Sequence, residues 1–221
     1  MKIAILGGTG PEGQGLGMRW AAAGHEVWIG SRQAERGAQV AGELNALLPA
    51  SAPRVRGAGN LEVTEAAEVV VMSVPYQAQR PTLETVAPAL RGKLLISVVV
   101  PLQPPKVSHV WVPPAGSAAQ EAQQQLGDSV PVVAAFQNVS AVLLKELDHV
   151  VECDVLICGD DRAGKEVAAR LSRDAGLRGI DAGPLQNAVV VEGLTAMLIG
   201  INKRAKIKHA GIRITGLPDD Y

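Results

Sequence analysis

The chain has 221 residues, 47% of them apolar but only 3% aromatic, and its 21 basic side chains against 22 acidic ones leave a formal net charge of -1. Such a chain buries one large core, or a main domain with a smaller partner, built mainly from Val, Leu, Ile and Ala. The balanced charge supplies no long-range pull toward nucleic acid or an anionic membrane, so neither is expected as a partner.

In chain order, Lys2 to Leu6 predicts a short buried strand, and the glycines after it lead into a helix from Gly13 to Ala23 that Gly24 closes. Glu26 to Ile29 is the next strand. Ala34 to Leu48 is the next helix, stopped by Pro49, and Pro49 to Asn60 reads as a loop or irregular strand. A short helix at Leu61 to Ala67 precedes the strongest strand of this half, Val69 to Val74. Pro75 ends that strand, a helical segment runs through Thr82 to Leu90, and Leu94 to Val100 is a β-branched run bounded by Pro101. Strands without polar alternation are covered on both faces. The repeated strand-helix order therefore calls for an α/β fold with a parallel, Rossmann-type sheet and right-handed crossovers.

Gln103 to Gly116 contains Pro104, Pro105, Pro113 and Pro114, too many for a regular element. A helix at Ser117 to Leu126 and a strand at Val130 to Phe136 follow. Beyond them come a strand at Val155 to Cys158, a helix at Ala163 to Ala175, a short strand near Leu177 to Ile180 and a long helix from Leu185 to Lys203. We divide the chain into a dinucleotide-binding domain at 1–140 and a smaller α/β domain at 141–221, closely packed because no flexible polar linker separates them. The apolar stretch Ala188 to Ile201, interrupted by Glu192 and Gly200, reads as a buried helix too short to span a bilayer. No secretory signal is recognised in Ile3 to Leu6, which runs directly into glycines. Cys153 and Cys158, spaced C-x4-C in an apolar run, match neither a metal knuckle nor a redox pair. They read as small buried hydrophobes on opposite sheet faces, in a reducing, cytoplasmic setting.

Gly8-Thr9-Gly10-Pro11-Glu12-Gly13 fits G-x-G-x-x-G between a strand and a helix. In such a loop the first glycine permits a tight turn, the second admits a pyrophosphate to the backbone, and the third lets helix and strand pack closely. Exposed amides at the helix start meet the pyrophosphate. Glu12 is expected to face solvent, away from that charge. The pattern lacks the Gly-Lys-Ser/Thr ending of a nucleoside-triphosphate loop. At the end of the second strand, where NAD-specific sites place a carboxylate, stands Gly30-Ser31-Arg32-Gln33. Ser31 offers a hydroxyl and Arg32 a guanidinium fork suited to a 2′-phosphate, with Arg36 one turn further on. This favours NADP(H) over NAD.

Ile5-Leu6-Gly7-Gly8-Thr9-Gly10-Pro11, Gly24-His25-Glu26-Val27 and Gly30-Ser31-Arg32 resemble the NADPH-dependent reductases of the deazaflavin coenzyme F420. The similarity continues in Cys158-Gly159-Asp160-Asp161 and Asp181-Ala182-Gly183-Pro184-Leu185. The resemblance implies reversible hydride exchange between NADP(H) and coenzyme F420, a smaller C-terminal domain and a homodimer. It puts Thr9, Gly10, Pro11, Ser31, Arg32 and Arg36 on the NADP side and Ser73-Val74-Pro75-Tyr76 near the nicotinamide. Val98 to Leu102, including Val100 and Pro101, and Ala135 to Ala141 fall beside the deazaflavin. Where the family commonly carries a histidine, this chain has Gln137-Asn138; Gln137 hydrogen-bonds but does not titrate near neutrality.

On this reading the cofactors supply the redox chemistry and the protein fixes their separation and face, without a side-chain nucleophile. Charge developing on the deazaflavin is met by backbone amides near Val100 or Val139 and by Gln137 or Asn138. The 4 histidines form no catalytic or metal constellation, and no metal is expected. The basic stretch Lys203 to Lys208 reads as a solvated helix end or as a contact for an anionic group. Two alternatives remain at this stage: an NADPH-dependent reductase of another small acceptor, and a non-catalytic NADP-binding sensor. Val190, Leu194, Met197, Leu198 and Ile201 share one helix face, fit for a dimer contact or for the domain's own core.

Overall fold

A computed structural model describes residues 1–218; the last positions of the 141–221 segment, Asp219 to Tyr221, lie outside the described residues. The first half alternates strictly: β1 (Lys2–Leu6), α1 (Pro11–Ala22), β2 (Glu26–Ser31), α2 (Ala34–Asn45), β3 (Arg56–Gly59), α3 (Asn60–Ala66), β4 (Val69–Met72), α4 (Tyr76–Leu90) and β5 (Leu94–Ser97). An irregular stretch then leads to α5 (Ala118–Leu126), β6 (Val132–Ala134), α6 (Ala141–Leu144), β7 (Asp154–Gly159), α7 (Arg162–Asp174) and β8 (Arg178–Asp181). A 3-10 turn at Leu185–Asn187 opens the last helix, α8 (Ala188–Ala205).

The strands form one 8-stranded sheet in the order β3-β2-β1-β4-β5-β6-β7-β8. Its first six members are parallel, whereas β7 runs antiparallel to β6, with Ala134 opposite Cys158. The expectation of a parallel sheet therefore holds up to β6 and fails at one junction. The connection differs from those before it: between β6 and β7 the only helix is the 4-residue α6, with no crossover helix along the sheet face, and β7 starts at the end where β6 stops. As a result the smaller C-terminal subdomain, with β7, α7, β8 and α8, begins at the end of the sheet that carries the glycine loop.

The stretch before Asn60 is a true edge strand despite its poor β-propensity. Arg56 to Gly59 pairs with Trp28 to Ser31. A Cβ on Gly57 would stand 2.0 Å from the Gly37 carbonyl oxygen, so the glycine that weakens the sequence signal is what lets α2 lie against this edge.

Alternating strand residues feed two apolar layers. Ile3, Ile5, Val69 and Ile96 pack with Leu16, Trp20 and Leu171 on the α1/α7 face. Ala4, Leu6, Val70 and Leu95 pack with Leu83, Val86 and Val191 on the other. Cys153 lies in the first layer and Cys158 in the second, both with free thiols. His25 is buried and its Nε2 lies 2.9 Å from Asp174 Oδ2, tying the start of β2 to α7.

Together with the turn before it, α8 forms 21 continuous residues, Leu185–Ala205, long and apolar enough by length and composition to cross a membrane. This segment runs past both ends of the apolar stretch Ala188 to Ile201, because Glu192 and Gly200 do not interrupt the helix. Ala188 and Val191 seat it in the second core layer, where its Glu192 is also buried.

Candidate active site

The carboxyl ends of β1, β2 and β4 meet at the point where the strand order reverses, the usual ligand crevice of an open α/β sheet. Gly7 turns the chain with a φ of 69°, and a Cβ there would stand 2.6 Å from both the Ser73 carbonyl oxygen and Val74 Cγ1. Gly8 donates its N–H to Ile5 and Gly30 carbonyls, both at 3.1 Å, and a Cβ on Gly13 would come within 2.7 Å of Gly8 Cα. Loop, strand end and helix start are therefore packed backbone to backbone, which only glycines permit. Gly10 caps α1 in an extended conformation and Pro11 occupies the first turn. Since proline has no N–H, the orphan donors at the helix start come from Glu12 and Gly13 onward.

A cavity of about 670 Å³ opens beside this loop, lined by Thr9, Gly10, Ser31, Arg32, Arg36, Ser73, Val74 and Pro75 among others. These are residues from three separate strand ends, all named from the sequence as the NADP side or the nicotinamide approach. Ser31 Oγ accepts the Gln33 N–H at 3.2 Å, which shapes the turn that presents Arg32. Arg32 is exposed, and among the described residues no carboxylate pairs with it; Arg36 is 3.9 Å from Glu43. The same cavity is lined by Gln33, which directly follows Arg32, and by Asn60, Ala78 and Thr82, which the sequence reading missed. Asn60 carries no motif signal: it reaches the site because β3 pairs with β2 and places the start of α3 beside Gly30.

Gln137, Asn138 and Val139 lie outside this cavity, beyond β6. Phe136 sets their course with a φ of 73°, a left-handed backbone rarely adopted by an aromatic residue. Its ring meets Trp20 edge-on at 5.6 Å, and Trp20 Nε1 donates to the Leu171 carbonyl at 2.8 Å, so packing holds the strained turn in place. Gln137 Nε2 donates to the Ser97 carbonyl at 2.8 Å, linking this turn to the end of β5, where Val100 and Pro101 follow. Asn138 Nδ2 donates to the Asp154 carbonyl at 2.7 Å, and the Val139 N–H to the Phe136 carbonyl at 3.1 Å. The donors suggested for a developing negative charge are thus engaged within the protein at Gln137, Asn138 and Val139. Each gives its loop shape.

The segment after α6 is held by Arg19, a buried residue of α1. Its Nε donates to Leu144 O at 2.9 Å, Nη1 to Ala175 O at 3.0 Å, and Nη2 to the carbonyls of Leu143, Glu146 and His149 at 3.1, 2.8 and 3.0 Å. One guanidinium thereby fixes the chain between the site's far wall and β7.

Glu12 departs from expectation. Instead of facing solvent, its side chain turns inward: Oε1 is buried without a hydrogen-bond partner, and burial raises the carboxyl from its ordinary 4.5 to about 8. Helix-start placement favours an anion by only ~0.3–1 kcal/mol, less than the penalty for an unpartnered buried charge. Burial decides the outcome, and the neutral acid is the favoured form at neutral pH.

The arrangement fits a dinucleotide: a glycine cradle, a helix start and a basic, carboxylate-free pocket at the ribose end. Comparison with known proteins agrees. The family model for coenzyme F420-dependent NADP oxidoreductase matches residues 2–101. The F420-dependent NADP reductase of Methanocaldococcus jannaschii is 39% identical, covering 98% of this chain and 99% of that one. A crystal structure of a provisionally assigned F420-dependent NADP-reductase from Arthrobacter sp. FB24 superposes with a TM-score of 0.79 at 27% identity, over 97% of this chain and 99% of that one. The F420-dependent NADP reductase of Methanothermobacter marburgensis is 43% identical over 99% of this chain and the whole of that one, and the chain belongs to the F420-dependent NADP reductase family.

Proposed function

We propose that this oxidoreductase transfers hydride reversibly between NADP(H) and coenzyme F420, in a cleft between the Thr9–Ser31–Arg32 cavity and the segments 98–102 and 135–141. One observation carries the reading: Ser31 and Arg32 share a single cavity with the glycine loop and with the strand end Ser73-Val74-Pro75. The names of the Methanothermobacter and Methanocaldococcus relatives support it.

When bound, the two cofactors supply the chemistry themselves, a hydride passing between nicotinamide C4 and deazaflavin C5. The chain contributes placement. Arg32, Ser31 and Arg36 hold the 2′-phosphate, the amides at the start of α1 hold the pyrophosphate, and the loop locked by Phe136 and Gln137 forms the opposite wall. Segment 1–140 acts as the NADP-binding domain, and 141–221 completes the deazaflavin cleft.

A homodimer in the cytoplasm is part of the proposal. On α8, Val190, Met197 and Ile201 are 62%, 53% and 38% exposed, and Val110 and Val112 add apolar surface at 50% each. Leu198 points into the core instead, at 8%. These exposed apolar side chains support pairing of two copies through α8. The free, buried cysteines support a reducing compartment. Small-molecule cofactors are the partners, with neither nucleic acid nor membrane among them.

The test is to mix purified protein with NADPH and oxidised F420 and follow the absorbance of each. Equal consumption of both is expected. NADPH binding without turnover points to the sensor, and reduction of a small imine or carbonyl with F420 unchanged points to the other reductase.

A further inference from the structure

The start of α3 contains a polar side chain that the hydride-transfer reading leaves without a task. Asn60 is 9% exposed, and its carboxamide oxygen Oδ1 is buried without a hydrogen-bond partner. An asparagine at a helix start ordinarily caps the first turn, but here Gly59 is the cap residue and no side-chain cap bond forms. The Asn60 backbone does the structural work instead, its carbonyl accepting Thr64 Oγ1 at 2.7 Å.

This carboxamide belongs to the end of the site that carries Ser31 and Arg32. Asn60 lines the cavity of about 670 Å³ beside the glycine loop and an adjoining one of about 730 Å³, and Ser31, Arg32, Pro75, Ala78 and Thr82 line both as well. A Cβ on Gly30 would stand 2.8 Å from Asn60 Oδ1, so the glycine before Ser31 makes room for the carboxamide. Pairing of Ser31 with Gly59 across β2 and β3 fixes that approach. Neither cavity has an acidic residue among its described lining residues.

We propose that Asn60 is a specificity-determining residue of the dinucleotide site, its carboxamide holding the phosphorylated ribose of NADP(H) together with Ser31 and Arg32. The inference rests on the reading of Ser31 and Arg32 as the 2′-phosphate contacts. A carboxamide offers both polarities to that ribose: Nδ2 donates to a phosphate oxygen, and Oδ1 accepts from a ribose hydroxyl. A carboxylate of the same shape only accepts, which suits the unphosphorylated diol of NAD(H) and repels a 2′-phosphate. In the free protein the unmet buried acceptor is a cost, and a ligand hydroxyl removes it.

The experiment titrates the full chain with NADP+, NAD+ and 2′,5′-ADP by calorimetry at about pH 8, for the wild type, Asn60→Asp and Asn60→Ala. Asn60→Asp keeps the shape and adds a charge, so it should weaken NADP+ by about tenfold or more while NAD+ affinity stays within about twofold or improves. Asn60→Ala should weaken NADP+ and 2′,5′-ADP by the same factor, about tenfold, the scale of a hydrogen bond to a charged group. Thermal unfolding establishes that each variant is folded; if Asn60→Ala is not, Asn60→Ser replaces it with the same expected loss. Equal changes in NADP+ and NAD+ affinity for Asn60→Asp, or wild-type 2′,5′-ADP affinity in folded Asn60→Ala, overturn this inference alone. Failure of the folded wild type to bind either NADP+ or 2′,5′-ADP overturns the dinucleotide reading along with it.

Discussion

Glu192, in the second turn of α8, accepts the backbone N–H of Ala118 through Oε2 at 2.8 Å, and its Oε1 accepts that of Ala119 at 3.0 Å. A buried carboxylate from the last helix thus caps the first turn of α5, where Ser117 Oγ also accepts the Gln120 N–H at 3.0 Å. Burial outweighs these two bonds and raises the carboxyl to about 7. A folded-state value above the unfolded one means the folded protein binds the proton more tightly, so this group's contribution declines as pH rises from about 4.5 to about 7. Urea unfolding at pH 5 and pH 8 should show wild-type stability relative to Glu192→Gln dropping by up to about 3 kcal/mol. A pH-independent difference contradicts the assignment.

Replacing Arg32 with Glu should turn nucleotide preference around. Arg32 lines the cavity and is free of carboxylate partners among the described residues, so its guanidinium is available to a phosphate. Loss of a charge-assisted bond of about 1.5–3 kcal/mol predicts a roughly 10- to 100-fold rise in KM for NADPH. KM for NADH should change little. Arg36→Ala should weaken NADPH less, because Arg36 is already near Glu43.

Arg19→Met should be the more damaging change for the fold itself. It leaves the buried carbonyl oxygens of Leu144 and Ala175 without their donors and frees the chain after α6. A loss of about 3 kcal/mol or more is expected by chemical denaturation. Arg19→Lys recovers only part of it, since an ammonium cannot reach five carbonyls through a planar fork.

Gln137→Leu separates the two halves of the cleft. Its amide ties the turn after β6 to Ser97 at the end of β5, away from the cavity containing Arg32. Steady-state kinetics should show KM for oxidised F420 rising about fivefold or more, the scale of one hydrogen bond, while KM for NADPH stays within about twofold. An equal rise in both would remove Gln137 from the deazaflavin side.

Much of this was legible without coordinates because it is local. The run Lys2 to Leu6, the glycine loop and Pro11 carry strand, turn and helix start in consecutive residues, and Ser31-Arg32 follow directly on the next strand. Periodicity likewise placed α7 and α8 within a few residues of their ends. The sequence thereby determined the fold class, the nucleotide loop and the family. Tertiary structure decided what depends on distant partners. Arg56 to Gly59 is a strand because β2 offers an edge and Gly37 a close neighbour, neither of which is visible in four residues with two glycines. β7 reverses because its connection stays at one end of the strands. Glu12 looks in sequence like a solvent-facing acid, whereas the fold buries its Oε1 without a hydrogen-bond partner. Local propensity is written in neighbouring residues, whereas burial and charge state depend on residues more than a hundred positions away, and that part of the site was settled by the fold.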